Sequence, residues 1–308
     1  MLEINNLVKC YGKTEVLHSI SYKSDDNSPI GIIGSNGAGK TTLCMVINGL
    51  TTITSGDVIV NSHSLQKEPD LVKKITGIYN DKLLLYENMT VKECIKYYME
   101  LYYVRDTSYN KLVDFFNIYK FERKKIRELS TGMKKKVSLL ISIMNKPEVL
   151  FLDEPFSGLD PSARVEFTNI IKELIQRPNM QIVISSHDLY ELNNIVEQLI
   201  IMDKGYIIES GDTRHLINKY FHEHNIHITF KSKKSPFLSK YYCASLGDEL
   251  YETSISSNLL YEFMYDFGQD IQIININTKT YSLEELYGKV KENETIMGND
   301  KKRKQSII

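Results

Sequence analysis

From residue 1 to about residue 60 the chain alternates short apolar runs with turn residues. Leu2 to Leu7, Val16 to Tyr22 and Ile30 to Ile33 are each bounded by Gly, Asn, Asp or Pro, which predicts strands. Thr41 to Leu50 follows a glycine-rich loop with helical spacing, and Gly56-Asp-Val-Ile-Val60 returns to strand, giving a strand, loop, helix, strand unit. Between residues 90 and 145 the period lengthens. Thr90 and Glu93 make a capping box, and Val91, Ile95, Tyr98 and Leu101 or Tyr102 recur at helical spacing. Strand runs resume at Val149 to Leu152, Gln181 to Ile184 and Leu199 to Met202 with helices between them, the pattern of a mostly parallel sheet. Beyond Gly211 come a helix, strands near Ile226 to Phe230, Leu250 to Ser256 and Asp270 to Ile276, and helices near Asn258 to Phe267 and Ser282 to Lys291. This predicts a small α+β domain, and Asp300 to Ile308 reads as a disordered tail.

Composition narrows the picture. Of 308 residues, 42% are hydrophobic and 25% charged, enough for a buried core and incompatible with wholesale disorder. Lys and Arg number 38 against 39 Asp and Glu, a net charge of -1 without the basic footprint of a nucleic-acid coat, so no nucleic-acid partner is expected. Cys10, Cys44, Cys94 and Cys243 show no pairing or metal-like spacing and read as free thiols in a reducing compartment. The N-terminus lacks a basic segment followed by an apolar one, and no stretch approaches the roughly 18 to 20 apolar residues of a membrane helix, so a cytoplasmic chain is expected.

The strongest chemical signal is Gly34-Ser-Asn-Gly-Ala-Gly-Lys-Thr41, set between an apolar strand and a helix. Its glycines let backbone N–H groups turn around phosphate oxygens at a helix N-terminus, with Lys40 reaching the β- and γ-phosphates and the Thr41 hydroxyl holding Mg²⁺. Val149-Leu-Phe-Leu-Asp-Glu154 supplies the second half. Four apolar residues bury a central strand, and Asp153 emerges at its carboxyl end to bind Mg²⁺ while Glu154 polarises the attacking water.

With Leu129-Ser-Thr-Gly-Met133 added, the sequence resembles the ATP-binding cassette (ABC) ATPase family, whose signature reads Leu-Ser-Gly-Gly-Gln at this place. The resemblance covers about residues 1 to 216. It implies a P-loop NTPase fold of the ABC type, α/β with a mostly parallel sheet, an antiparallel β-subdomain and a helical subdomain at about 82–145. It implies ATP and Mg²⁺ as ligands. The nucleotide is held by Gly34, Ser35, Asn36, Gly37, Ala38, Gly39, Lys40, Thr41 and Thr42, with Tyr11 stacking on adenine. Ser130 and Gly132 grip the γ-phosphate bound to a second cassette. Ser157-Gly-Leu-Asp160 resembles the loop that crosses the dimer interface, and His187 the switch histidine at the γ-phosphate. The catalytic set implied is Glu154, His187 and Lys40; the metal set is Thr41, Asp153 and Asp81. Three positions depart from the family pattern: Asp81 stands where a glutamine is usual, and Thr131 and Met133 replace Gly and Gln of the signature.

Other features stay open at this level. Lys134 to Lys136 crowd the first turn of a helix, where cations oppose its dipole, and read either as a phosphate-facing cluster or as a solvated basic face. Leu83 to Val91 and the tyrosine-rich helix with Tyr97, Tyr98, Tyr102 and Tyr103 lie where the family receives a helix from its membrane partner; subdomain core explains about half of them equally well. Lys279 to Tyr287 resembles the ending of exporter-type cassettes with a small C-terminal domain. His222, His224 and His227 lack a fourth zinc ligand at matching spacing and read as surface histidines, and Lys301 to Lys304 as a solvated tail. The expected organisation is a nucleotide-binding domain at 1–216, an accessory domain at 217–295 and a flexible basic tail at 296–308. The function implied is the ATP-hydrolysing subunit of an ABC transporter, an exporter, at the inner face of the cell membrane. Its partners would be an integral membrane subunit and a second cassette, identical or not. The alternatives are a soluble non-transport ABC ATPase and an ATP-gated clamp with little turnover.

Overall fold

The N-terminal alternation folds into an antiparallel pair in the computed structural model, β1 (Leu2–Tyr11) with β2 (Thr14–Lys23). A bulge between Asn5 and Val8, with Asn6 at φ 46°, shifts the period by one residue and returns Leu7 to the face shared by Leu2 and Ile4. The structure describes residues 1–24, 26–80, 85–104, 109–221, 225–232, 241–278 and 281–305. β3 (Ile30–Gly34) is buried along its whole length and runs through the glycine loop into α1 (Lys40–Ile47). β4 (Ser55–Val60) pairs with the free edge of β1, and β5 (His63–Ser64) closes a four-stranded antiparallel sheet in the order β2-β1-β4-β5.

α2 (Pro69–Ile75) leads into β6 (Thr76–Tyr79), a strand the apolar pattern does not announce because Thr and Gly fill half of it. The helical region follows as α3 (Val91–Leu101), α4 (Tyr109–Phe115) and α5 (Thr131–Ile143). α3 carries the expected capping box: the Glu93 amide donates to the Thr90 hydroxyl and the Thr90 amide to the Glu93 carboxylate. β7 (Val149–Asp153), α6 (Pro161–Ile175), β8 (Gln181–Ser186), α7 (Leu189–Leu192), β9 (Gln198–Asp203) and β10 (Tyr206–Asp212) complete the region. The second sheet is six-stranded in the order β10-β9-β3-β8-β7-β6 and parallel except for β10. β3 thus lies between β8 and β9, and the carboxyl ends of β3, β7, β8 and β9 share one edge, where open α/β sheets bind ligands. Leu43 and Val46 of α1 pack with Leu17 and Ile20 of β2 and with Ile30, Ile32 and Phe151, one core spanning both sheets.

Two units emerge, Met1–Arg214 with Val290–Ile308, and His215–Lys289; the boundaries expected from sequence stood at 216 and 295. α8 (Thr213–Tyr220) leads into the second unit. There β11 (Asn225–Ser232), β12 (Cys243–Gly247), β13 (Leu250–Ser256) and, after α9 (Leu260–Phe267), β14 (Ile271–Thr278) form an antiparallel sheet in the order β12-β13-β11-β14. Ile228, Phe230, Tyr241, Phe263 and Phe267 make its core. α10 (Leu283–Gln305) opens with a capping box between Ser282 and Glu285, so the described part of the motif compared with exporter endings, from Tyr281 on, is also a helix start. The helix continues through residues read from sequence as a flexible tail; Leu283 to Gln305 contains no proline to stop it.

Candidate functional site

The glycine loop closes as its spacing demands. Gly37 and Gly39 sit at φ 80° and 102°, and the Ala38 amide donates to the Ser35 carbonyl at 3.1 Å. α1 has Gly39 as its N-cap, no side-chain cap and no acidic residue in its first turn, so its first N–H groups and positive dipole end are available to an anion. Lys40 is 6% exposed. It donates to the Gly34 carbonyl at 2.8 Å and the Ser35 carbonyl at 3.3 Å, with Glu154 Oε1 at 3.9 Å. A cation held mostly by neutral carbonyls retains charge for a phosphate.

The end of β7 supplies the acids. Asp153 Oδ1 accepts from the Thr41 hydroxyl at 3.4 Å and from the Ser185 hydroxyl on the adjacent strand β8. Glu154 adopts φ 49°, a left-handed conformation that costs on the order of 1–3 kcal/mol for a non-glycine residue and is held here by the hydrogen bond its amide N–H donates to the Ser185 carbonyl. From that turn its Oε2 lies 2.7 Å from His187 Nδ1, just beyond the end of β8. Lys40, Thr41, Asp153, Glu154 and His187, expected from sequence, therefore converge on one sheet edge. Thr41 and Asp153 are hard oxygen donors of the kind Mg²⁺ takes, and they fit that ion. Ser185 was not singled out by the sequence; a hydroxyl two residues before the candidate histidine was its only signal.

Three expected site residues lie elsewhere. Tyr11, at the end of β1, is 46% exposed with the Lys9 ammonium over its ring at 4.7 Å, leaving aromatic surface open to stack. Ser130 is the N-cap of α5 and accepts from the Met133 amide at 3.3 Å; no hydrogen bond joins it to the glycine loop among the described residues. Gly132 is buried against α6, where an added Cβ would stand 2.9 Å from the Ala163 Cβ. Asp160, expected in the loop between cassettes, caps α6 by accepting from the Ala163 amide at 2.9 Å. Asp81 lies outside the described residues, as do Leu83, His222 and His224; His227 is exposed on β11.

Of the three lysines after Ser130, Lys134 is half-buried while Lys135 and Lys136 are buried and do not form a solvated face. Lys135 is buried, donates to the Pro155 carbonyl at 3.3 Å and lies over the Tyr79 ring, and Lys136 pairs with Glu166 of α6, because the helix turns both toward β6 and α6 rather than to water. The four cysteines are free thiols. Burial pushes the Cys44 thiol, which sits in α1 beneath the loop, far above its usual range and the Cys94 thiol upward as well. Along α3 and just beyond it Tyr98 is buried, while Tyr97, Leu101, Tyr102 and Tyr103 are exposed.

Residues 17–157 match the family described as ABC transporter. The lantibiotic transport ATP-binding protein SrtF of Streptococcus pyogenes is 31% identical over 208 residues, 68% of this chain and 89% of that one. The chain belongs to the ABC transporter family. The crystal structure of a nucleotide-free ATP-binding cassette from an ABC transporter superposes with a TM-score of 0.62 at 26% identity, covering 69% of this chain and 91% of that one. In this chain the glycine loop follows β3, which lies inside the six-stranded sheet between β8 and β9. ABC transporter A family member 1 of Dictyostelium discoideum is 28% identical over 234 residues, 74% of this chain; the chain spans only 26% of that protein's length. No helix among the described residues is long and apolar enough to cross a membrane.

Proposed function

We propose that this ABC chain binds ATP with Mg²⁺ at Gly34 to Thr42, hydrolyses it between two cassettes, and drives a separate membrane subunit at the inner face of the cell membrane. The observation that carries the reading is the meeting of Lys40, Asp153, Glu154 and His187 at one sheet edge, above an uncapped helix N-terminus. Lys40 exchanges loop carbonyls for β- and γ-phosphate oxygens. Thr41 and Asp153 hold Mg²⁺, which neutralises phosphate charge when bound. Glu154, positioned by His187, accepts the proton of the attacking water, and Tyr11 stacks on adenine. Ser130, exposed at the head of α5, has its hydroxyl available to the γ-phosphate of a second copy; this is what makes two cassettes necessary.

Export is the direction that the accessory domain and the capping-box motif of α10 support, and SrtF is named for transport of a lantibiotic. The exposed Tyr97, Tyr102 and Tyr103 offer a membrane subunit the apolar anchors of a helix-in-groove contact. Glu154→Gln tests the engine: ATP affinity is retained while phosphate release falls by about a hundredfold or more. Turnover at the parental rate removes Glu154 from the chemistry, and a parent that binds ATP without any phosphate release makes the chain a clamp.

A further inference from the structure

The phosphate loop leans on the end of β9. Gly34 is the register partner of Met202, the Gly205 amide donates to the Ala38 carbonyl at 3.0 Å, and the Ser35 hydroxyl points at Asp203 Oδ1 from 3.5 Å. Asp203 is 8% exposed, so its carboxylate needs a charge partner. That partner comes from far along the chain: Lys291 of α10 places its ammonium 2.6 Å from Asp203 Oδ2. Lys291 is also 3.6 Å from Glu294 one helical turn on. Both oxygens of Asp203 are therefore engaged, one toward the loop and one toward α10.

We propose that Lys291 is a positioning residue for the nucleotide site, acting through Asp203 on Ser35. With the ion pair formed, the carboxylate is fixed and the Ser35 peptide, whose carbonyl also accepts from Lys40, stays in the conformation that receives phosphate. Without it, Asp203 turns toward water and the loop pays an ordering cost when ATP binds. The C-terminal helix thereby sets the affinity of a site to which it contributes no ligand. This inference rests on the reading of Gly34 to Thr42 as the phosphate cradle.

The test is ATP affinity of the full chain, measured by fluorescence of a nucleotide analogue, for the parent, Lys291→Met, Lys291→Arg, Asp203→Asn and the Lys291→Met/Asp203→Asn double variant, with thermal melting alongside. Expected are an affinity about three- to tenfold weaker for Lys291→Met, recovery in Lys291→Arg, and a double variant no weaker than Asp203→Asn alone. Unchanged affinity in Lys291→Met, or a lowered melting temperature with parental affinity, overturns the proposal, as does tighter binding, which would make the contact a restraint. A parent that fails to bind ATP overturns the cradle reading instead.

Discussion

At the scale of single residues the site was largely legible, because its chemistry needs particular residue types at short spacing. Lys40 shows both what could be read and what could not. Its place after three loop glycines announces a phosphate contact, but only the structure shows it lodged on the Gly34 and Ser35 carbonyls with Glu154 3.9 Å away. Lys40→Ala deletes charge-assisted bonds worth about 1.5–3 kcal/mol, so ATP affinity is expected to fall by roughly ten- to a hundredfold. Isothermal titration of the folded variant checks it, and parental affinity would remove Lys40 from the site. The lysines at 135 and 136 went the other way. Their run in sequence suggests a water-facing or phosphate-facing cluster, whereas the Pro155 carbonyl and Glu166 that hold them are distant in sequence and carry no motif. Ser185 and Asp203 were missed for the same reason: a lone hydroxyl or acid at a strand end means something only once its neighbours are assembled.

Elements followed from sequence where one face is buried and the period is unbroken. β3, β7 and β8 read plainly because both faces of a central parallel strand are apolar, and α3 because its cap and stripe agree. β6, β10 and β12 did not, since a short or partly exposed strand draws its stability from ladder bonds rather than side chains. The packing of α5 on α6 is a consequence of the same kind, invisible in the signature motif. Gly132 resembles a phosphate-gripping glycine, yet a Cβ there would stand 2.9 Å from the Ala163 Cβ. Gly132→Ala must push two helices apart, and we expect a stability loss of about 1–3 kcal/mol. Urea denaturation measures it, with ATP affinity of the isolated chain unchanged because Gly132 does not touch its own loop. A variant as stable as the parent would mean that the helices give way freely and that the glycine is kept for the neighbouring cassette alone.

For the whole molecule, the structure divides into Met1–Arg214 with Val290–Ile308 and His215–Lys289; the sequence offers a change of pattern after residue 211 near the first boundary and nothing for the long reach of α10, since charged residues with helical propensity read equally as a tail. What the fold implies beyond one chain follows from where its parts sit. The loop, Asp153, Glu154 and His187 gather on one edge, while Ser130, free of any hydrogen bond to the loop among the described residues, heads a helix on its own surface. In the proposed function one chain carries a phosphate cradle and a separate phosphate-gripping serine, and two chains arranged head to tail would satisfy both at two sites. Blocking hydrolysis should make that arrangement last. On the proposed reading Glu154→Gln leaves Lys40 and Thr41 to hold ATP while removing the base, so size-exclusion chromatography with light scattering should show a dimer with Mg-ATP and a monomer without it. If the variant binds ATP and stays monomeric, Ser130 must be completed by a different cassette or only in the presence of the membrane subunit, and the homodimeric engine is wrong.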